Sequence, residues 1–314
     1  MTEVVLGVDI GGTNSVLGLI DREGCVLYEN SILTEGTQPF SEFLNRFNLA
    51  VDGAMASQEN LKCIGIGIGA PNGNHFSGII QDPPNLSWGD VNIVSQFEDL
   101  FSLPVKLTND ANAAAMGEKY FGAGNSLNDF IVITLGTGLG SGIISGGNLV
   151  YGHDGLAGEL GHLSVDPNGR LCSCGLRGCL EMYVSAKGMK YTVEQFQHEF
   201  SNDSFYSSLD SKNVDGKAID QAVDHGNESA IKLYEFMGEK LGFGLAQAAT
   251  LFSPKAFIFY GGYSQAGDRL FDHTRKAMES YLMDNLKGKI SIMDSALPHG
   301  QAGILGAASL IWSA

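Results

Sequence analysis

The chain has 314 residues, 44% hydrophobic and 17% charged, with a formal net charge of −16. Such a chain can bury a substantial core, so disorder is excluded, and its length predicts roughly two domains at ~150 residues each. The negative balance excludes nonspecific affinity for nucleic acid or anionic membrane, but not a phosphorylated nucleotide, which glycine loops, helix N-termini and Mg²⁺ hold without Lys or Arg.

In chain order, the apolar run 4–8 (VVLGV) ends at Asp9-Ile10-Gly11-Gly12-Thr13-Asn14, and a second run, Val16 to Ile20, follows at once. Strand, glycine turn, strand is the expectation: a hairpin whose tip exposes backbone N–H groups. Cys25 and Cys63 have no near partners and are expected to be small buried apolar residues. Cys63 to Ile68 reads as a strand with Gly at alternate positions up to Gly69, and Val105 to Leu107 as a short strand. Ala111 to Phe121 is an Ala-rich helix, with Asp110 placed to cap it and Gly122 to end it. Leu127 to Thr134 then leads into the glycine-rich stretch Leu135 to Gly142 and the run Ile143-Ile144, repeating the first arrangement some 125 residues on. Two such hairpins suggest two related halves facing one ligand. Gln195 to Lys217 is polar and serine-rich, a loop or short helices, whereas Ser229 to Phe252 carries apolar residues near helical spacing until Ser253-Pro254 stops it. Ala256 to Tyr260 is a strand that Gly261-Gly262 turns toward a helix, and Gln301 to Trp312 is a last apolar helix. Strands and helices alternate throughout, so the class is α/β. No apolar run approaches the ~20 residues of a membrane span, and Met1 is followed by Thr-Glu rather than a basic signal region, so a cytoplasmic protein without a membrane partner is expected.

The chemistry-bearing residues cluster most tightly in ELGHLSVDPNGRLCSCGLRGCLE, Glu159 to Glu181. Cys172, Cys174 and Cys179, with His162 ten residues before the first of them, match the donor set of a closed tetrahedral zinc site. Clustered thiols without a secretory signal more often bind metal than pair as disulfides, and turns at Gly175 and Gly178 let the loop fold back on itself. Zinc has no need of Glu159 and Glu181, which leaves two acids and an imidazole for a ligand rich in hydroxyls. The glycine tips are not a dinucleotide fingerprint: Gly136, Gly138, Gly140 and Gly142 alternate strictly and run into strand rather than helix. No Gly-Lys-Ser/Thr occurs, which excludes a P-loop. Two phosphate-cradling hairpins remain, with the hydroxyls of Thr13 and Thr137 beside them. Asp9, at the end of the first strand, can face a hydrated Mg²⁺. Asp110 stands at a strand end and a helix start, where a carboxylate either caps the helix or reaches the carboxyl edge of the sheet to accept the proton of a hydroxyl attacking a phosphoryl group.

DIGGT at 9–13, TNDANAAAMGE at 108–118, LGTGLGSGI at 135–143, GELGH at 158–162 and CSCGLRGCLE at 172–181 occur in this order. Together they resemble the ROK family (repressors, open reading frames and sugar kinases), and within it the bacterial glucokinase-like kinases. The resemblance implies an actin-like ATPase fold, two RNase H-like domains around a central cleft: residues 1–120 plus about 299–314 as a small N-terminal α/β domain, and 121–298 as a larger one with the zinc loop. It implies ATP-dependent phosphorylation of the 6-hydroxyl of an aldohexose, glucose foremost, with Asp110 as base and Asn109, Glu159, His162 and Glu181 as sugar ligands. His162 would serve the zinc through one ring nitrogen and the sugar through the other. Gly11, Gly12 and Thr13 match the first phosphate motif, Thr137 and Gly138 the second, Gly261-Gly262 the adenosine motif, and Asp9 the acid near Mg²⁺; the zinc is structural. The loop Gly69 to Gly73 and Asn85 would complete the sugar pocket, and a homodimer or higher homo-oligomer is expected. Asn14 departs from the family, many of whose members carry Lys or another long residue there, and this would shift phosphate contacts.

Two alternatives follow from the same resemblance. A sugar-responsive repressor of this family carries a helix-turn-helix segment before the first phosphate motif, which here begins by residue 9, so a kinase is expected. Within the kinases, the sugar ligands are shared widely enough that N-acetylmannosamine, N-acetylglucosamine, mannose, fructose or allose stay open as substrates, as does polyphosphate as donor.

Overall fold

A computed structural model describes residues 1–58, 60–83, 86–298 and 300–313. In chain order the strands and helices are β1 (Thr2–Ile10), β2 (Asn14–Ile20), β3 (Val26–Leu33), α1 (Phe40–Ser57), β4 (Leu61–Ala70), β5 (Ile79–Ile80), β6 (Val91–Asn92), α2 (Ile93–Phe101), β7 (Val105–Asn109) and α3 (Asp110–Phe121). There follow β8 (Phe130–Leu135), β9 (Leu139–Ser145), β10 (Asn148–Leu149), α4 (Glu181–Val184), α5 (Ala186–Glu199), α6 (Ser204–Ser208), α7 (Gly216–Asp224), α8 (Glu228–Phe252), β11 (Ala256–Tyr260), α9 (Asp268–Tyr281), β12 (Ser291–Asp294) and α10 (Ala302–Trp312). The chain divides into two compact units: Met1–Asn128, Gly142–Gly158 and Ser295–Ala314 form the first, Asp129–Ser141 and Glu159–Asp294 the second. Among the described residues no helix is long and apolar enough to cross a membrane.

The first unit is built on a sheet ordered β3-β2-β1-β4-β7, in which β1, β4 and β7 are parallel and β2 and β3 antiparallel. Val4 to Val8 are nearly all fully buried, as a strand covered on both faces requires. One cover is α1, whose Phe40, Phe43, Phe47, Val51 and Ala54 recur at helical spacing and are buried. Phe47 stacks 4.9 Å from Phe97 of α2, and truncating so buried a ring to Ala costs about 3–5 kcal/mol. The other cover is α10, and it explains Gly65 and Gly67 among the alternating glycines of β4. A Cβ on Gly67 would lie 1.8 Å from the carbonyl oxygen of Ala307, so that helix reaches the sheet only because the strand lacks side chains there.

The second unit centres on β8, β11 and β12, parallel neighbours in a sheet ordered β10-β9-β8-β11-β12. Helices α8 and α9 pack closely, since Cβ atoms on Gly238 and Gly242 would come within 2.5 and 2.6 Å of His273 and Ala277 of α9. The polar, serine-rich stretch Gln195 to Lys217 takes the short-helix form expected of it: it holds the end of α5, all of α6 and the start of α7, the last two begun by Asp203 and Asp215, whose carboxylates accept from first-turn N–H groups. Cys25 is exposed and Cys63 half-buried, against the expectation that both are buried. Cys25 sits in the turn after β2, where its N–H donates to Asp21, and Cys63 lies near the edge of the core.

Candidate functional site

The parallel strands of the first unit end at one edge, and the register puts three predicted regions side by side. Asp9 pairs with Gly69, Gly69 with Thr108, and Ala70 with Asn109. The loop Gly69 to Gly73 thus lies against the end of β7; a Cβ on Gly73 would come 2.5 Å from the Thr108 carbonyl oxygen. Asn85 lies outside the described residues. Asp110 is the first residue of α3, and the cap is Asn109 instead: its extended backbone (φ −64°, ψ 150°) and side-chain oxygen, accepting from the Ala111 N–H at 2.9 Å, meet the requirement that Asp110 was expected to fill. Asp110 Oδ1 accepts from the same N–H at 2.8 Å. With capping assigned to its neighbour, Asp110 is left available to a ligand.

Electrostatics agree with that division. The protein around Asp110 removes enough water to raise its carboxyl above the ordinary carboxylate value, and the Ala111 N–H opposes the rise only in part. Asp9 is raised to about 7, first by burial and then by the charge of Asp110. Two acids this close in a poorly hydrated edge invite a cation between them and a bound phosphate.

The first hairpin tip joins β1 and β2. Gly12, Thr13 and Asn14 are exposed, while a hydroxyl network behind them holds the turn. Thr34 Oγ1 donates to the Gly11 carbonyl at 2.8 Å and lies 2.8 Å from the buried Ser15 Oγ, and the Thr34 N–H donates to Thr13 at 2.8 Å. Thr34 and Ser15 escaped the sequence reading; a Thr beyond a third strand carries no local signal of contact with a turn some twenty residues earlier.

In the second unit, Thr137 is exposed at the tip between β8 and β9. The Gly136 N–H donates to Gly138 at 3.0 Å and the Gly140 N–H to Thr134 Oγ1 at 3.2 Å. Gly261 ends the neighbouring strand β11 with φ +112°, and a Cβ there would come 2.3 Å from the Leu135 carbonyl oxygen, so both backbone angle and space demand glycine. Gly261-Gly262 and the Thr137-Gly138 tip therefore meet at adjacent strand ends. The expected helix begins only at Asp268, after a 3₁₀ turn over Gly262–Ala266.

The same unit gathers the candidate metal donors. The donor atoms of His162, Cys172, Cys174 and Cys179 all lie within 4.8 Å of one another. Cys174 and Cys179 sulfurs are 3.6 Å apart, and Cys172 Sγ is 3.7 Å from His162 Nδ1. Donors at about 2.3 Å (sulfur) and about 2.0 Å (nitrogen) from one tetrahedral zinc stand roughly 3.5–3.8 Å apart, so this set fits the ion. The backbone closes the loop by Gly175 N–H to Cys172 (3.0 Å) and Cys172 N–H to Leu176 (2.8 Å). The other ring nitrogen of His162, Nε2, lies 4.0 Å from Glu159 Oε2. Arg170 props the loop from behind, another residue the sequence reading left without a role. Its guanidinium donates to Met182 O (2.7 Å), Gly188 O (3.1 Å), Thr192 Oγ1 (3.0 Å) and Gln195 Oε1 (2.8 Å), and it lies 4.6 Å from the Tyr183 ring centroid. Glu181 opens α4 and accepts the Leu139 N–H through Oε2 at 2.9 Å.

A family model described as the ROK family matches residues 5–314. The chain is 36% identical to a glucokinase of Streptomyces coelicolor, across 98% of this chain and 97% of that protein. It is 33% identical to a glucokinase of Thermotoga maritima, across 98% and 96% of the two chains. The crystal structure of a ROK family glucokinase from Streptomyces griseus in complex with glucose and AMPPNP is similar to it with a TM-score of 0.80 at 35% identity, over 98% of each chain.

Proposed function

The chain belongs to the ROK family, and from that membership we infer that it is an ATP-dependent kinase that phosphorylates the 6-hydroxyl of glucose. The kinship to glucokinases across nearly the whole chain supports this reading, and so does the Streptomyces griseus relative, which binds glucose and AMPPNP. The observation that carries the mechanism is the position of Asp110 at the carboxyl edge of a parallel sheet, relieved of capping by Asn109.

Asp110 is the base. As the sugar oxygen bonds to the γ-phosphorus and the bond to ADP breaks, the hydroxyl proton passes to the Asp110 carboxylate. Its raised affinity for protons favours that transfer near neutral pH. Asn109, Glu159, His162 Nε2 and Glu181 hold the remaining hydroxyls, which converts binding into orientation of the reacting one. Gly11, Gly12 and Thr13 cradle phosphate from one hairpin, Thr137 and Gly138 from the other, and Gly261-Gly262 give the adenosine a surface without side chains. Asp9 would hold the hydrated Mg²⁺ that accompanies the nucleotide, and such an ion would offset phosphate charge and the crowding of the two acids. His162, Cys172, Cys174 and Cys179 would hold a structural zinc, since four protein donors would leave no position for a reacting water. As a consumer of ATP and sugar, the enzyme works in the cytoplasm.

The test is a comparison of kcat/KM across glucose, mannose, fructose, allose, N-acetylmannosamine and N-acetylglucosamine, each with ATP and with polyphosphate. Glucose with ATP is expected to lead. A chain that phosphorylates no hexose would overturn the reading, and preference for another sugar or for polyphosphate would replace its substrate.

A further inference from the structure

Leu139 is the first residue of β9, directly after the Thr137-Gly138 tip, and the segments that carry Glu159 and Glu181 are seated on it or just beyond it. Its N–H donates to Glu181 Oε2 at 2.9 Å. Its carbonyl oxygen faces Gly161, where a Cβ would come within 2.3 Å, so the stretch Glu159 to His162 lies directly against the strand. Two residues on, Ser141 Oγ accepts the Leu160 N–H at 3.2 Å. On its other side the tip is tied to the helix after Glu181, because the Ala186 N–H donates to the Gly136 carbonyl at 3.0 Å. Gly138 completes the fit, since a Cβ on it would lie 2.4 Å from Glu181 Oε2.

We propose that Glu181 is a positioning residue that couples the two substrates, one carboxylate oxygen fixing the phosphate hairpin through the Leu139 N–H while the other receives a sugar hydroxyl. This rests on the kinase reading above. A hydroxyl on one oxygen orders the carboxylate, and with it the N–H at the base of the tip. Phosphate bound at the tip orders the same atoms from the other end. Whichever ligand arrives second meets groups already ordered, so each tightens the other, and by linkage they do so by the same factor. The coupling needs no movement of one unit relative to the other, because every bond in it lies within the second unit.

The experiment is calorimetric binding of glucose with and without saturating AMPPNP and Mg²⁺, and of AMPPNP with and without glucose. For the wild type the second ligand is expected to lower the dissociation constant of the first about fivefold or more, equally in both directions. In Gly138→Ala the added methyl meets only the far end of a flexible side chain, so the protein folds while the carboxylate leaves the Leu139 N–H; the ratio is expected to fall to within about twofold of one. Glu181→Asp, which keeps the charge and shortens its reach, is expected to do the same and decides the matter should Gly138→Ala bind neither ligand. A wild-type ratio of one overturns the proposal, and so does a variant that keeps the wild-type ratio, whatever its thermal midpoint. A wild type that phosphorylates no hexose would overturn the kinase reading instead.

Discussion

Two hairpins of the same sequence pattern, strand, glycine-threonine tip, strand, are held in different ways. At the first, neutral hydroxyls do the bracing: Thr34 and Ser15 sit behind Gly11, and two acids, Asp9 and Asp110, stand at the adjoining strand ends. At the second, a carboxylate braces the turn directly through Leu139, and the segment carrying that carboxylate hangs from a loop built around one imidazole and three thiols. The difference follows from what each unit must position. Strand ends of a parallel sheet fix Asp9, Asn109 and Asp110 at no further cost, since the ladder already sets their spacing. Glu159, His162 and Glu181 stand on irregular backbone, a 3₁₀ turn and a short helix, which has little cooperative stability of its own. Such a segment needs a staple, and a metal site is one.

The largest effect should come from the strand-end side. Asp110→Asn removes the carboxylate proposed as base while the Ala111 N–H keeps a side-chain oxygen acceptor at both positions 109 and 110, so the helix start survives. The kcat should fall by about 10²–10⁴-fold or more with the glucose dissociation constant within about tenfold. The pH profile gives an independent check. A base must be ionised, and burial raises the Asp110 carboxyl from its ordinary value of 3.8, so kcat/KM should fall as pH drops through a point above that value. The same shift makes ionised Asp110 a net cost to folding: its contribution is most favourable below pH 3.8 and is lost as pH rises through the folded-state value. Asp110→Asn should therefore raise the thermal midpoint of the ligand-free protein at pH 8 and less so at pH 4. A folded variant with substantial kcat would leave Asp110 a mere helix-start residue.

The stapled side should respond through binding rather than through the chemical step. Elemental analysis of protein purified without added metal should find one zinc per chain. Cys174→Ala should lower that content and raise KM for glucose by about 10–100-fold, with KM for ATP moved far less. Loss of a bound zinc would free His162 and loosen the loop, but Arg170 still holds four acceptors behind it, so the protein should remain folded. Full activity without metal, or an unchanged glucose KM in Cys174→Ala, would remove the staple from the account.

How legible each side was differs in the same way. The clustering of His162, Cys172, Cys174 and Cys179 was readable because all four fall within eighteen residues, and local chain closure brings them together. The strand ends were readable because apolar runs stop at Asp9 and Asn109. Long-range packing was not readable. Nothing between Gly138 and Glu181 announces that a missing Cβ on one makes room for the carboxylate of the other. Gly142–Gly158 belong with the first unit through contacts such as the one a Cβ on Gly142 would make with Ala115, 2.5 Å away, and no local pattern marks them. Capping was misread for a subtler reason. Asn109 and Asp110 are both good caps, and only the backbone angle, extended at Asn109, decides which of them stands outside the helix. Helix α1 was legible and passed over, since Phe40, Phe43, Phe47, Val51 and Ala54 already carry the helical period.

The smallest effect should come from the neutral brace, and it sharpens the contrast between the hairpins. Thr34→Val keeps the shape of the side chain and removes the hydroxyl that reaches Gly11 O and Ser15 Oγ, both at 2.8 Å. The buried Ser15 hydroxyl then loses a partner, so stability should fall by about 1–3 kcal/mol. The tip itself should loosen only modestly, because the Gly11 N–H bond to Asn14 and the Thr34 N–H bond to Thr13 are backbone bonds that the substitution leaves in place. KM for ATP should rise a few-fold, KM for glucose should stay within error, and the factor by which glucose and AMPPNP tighten one another should not change. That last measurement separates the two hairpins. A coupling lost in Gly138→Ala but kept in Thr34→Val assigns communication to the carboxylate-braced turn, whereas equal loss in both would mean that any softening of a phosphate tip uncouples the substrates and that Glu181 has no special part in it.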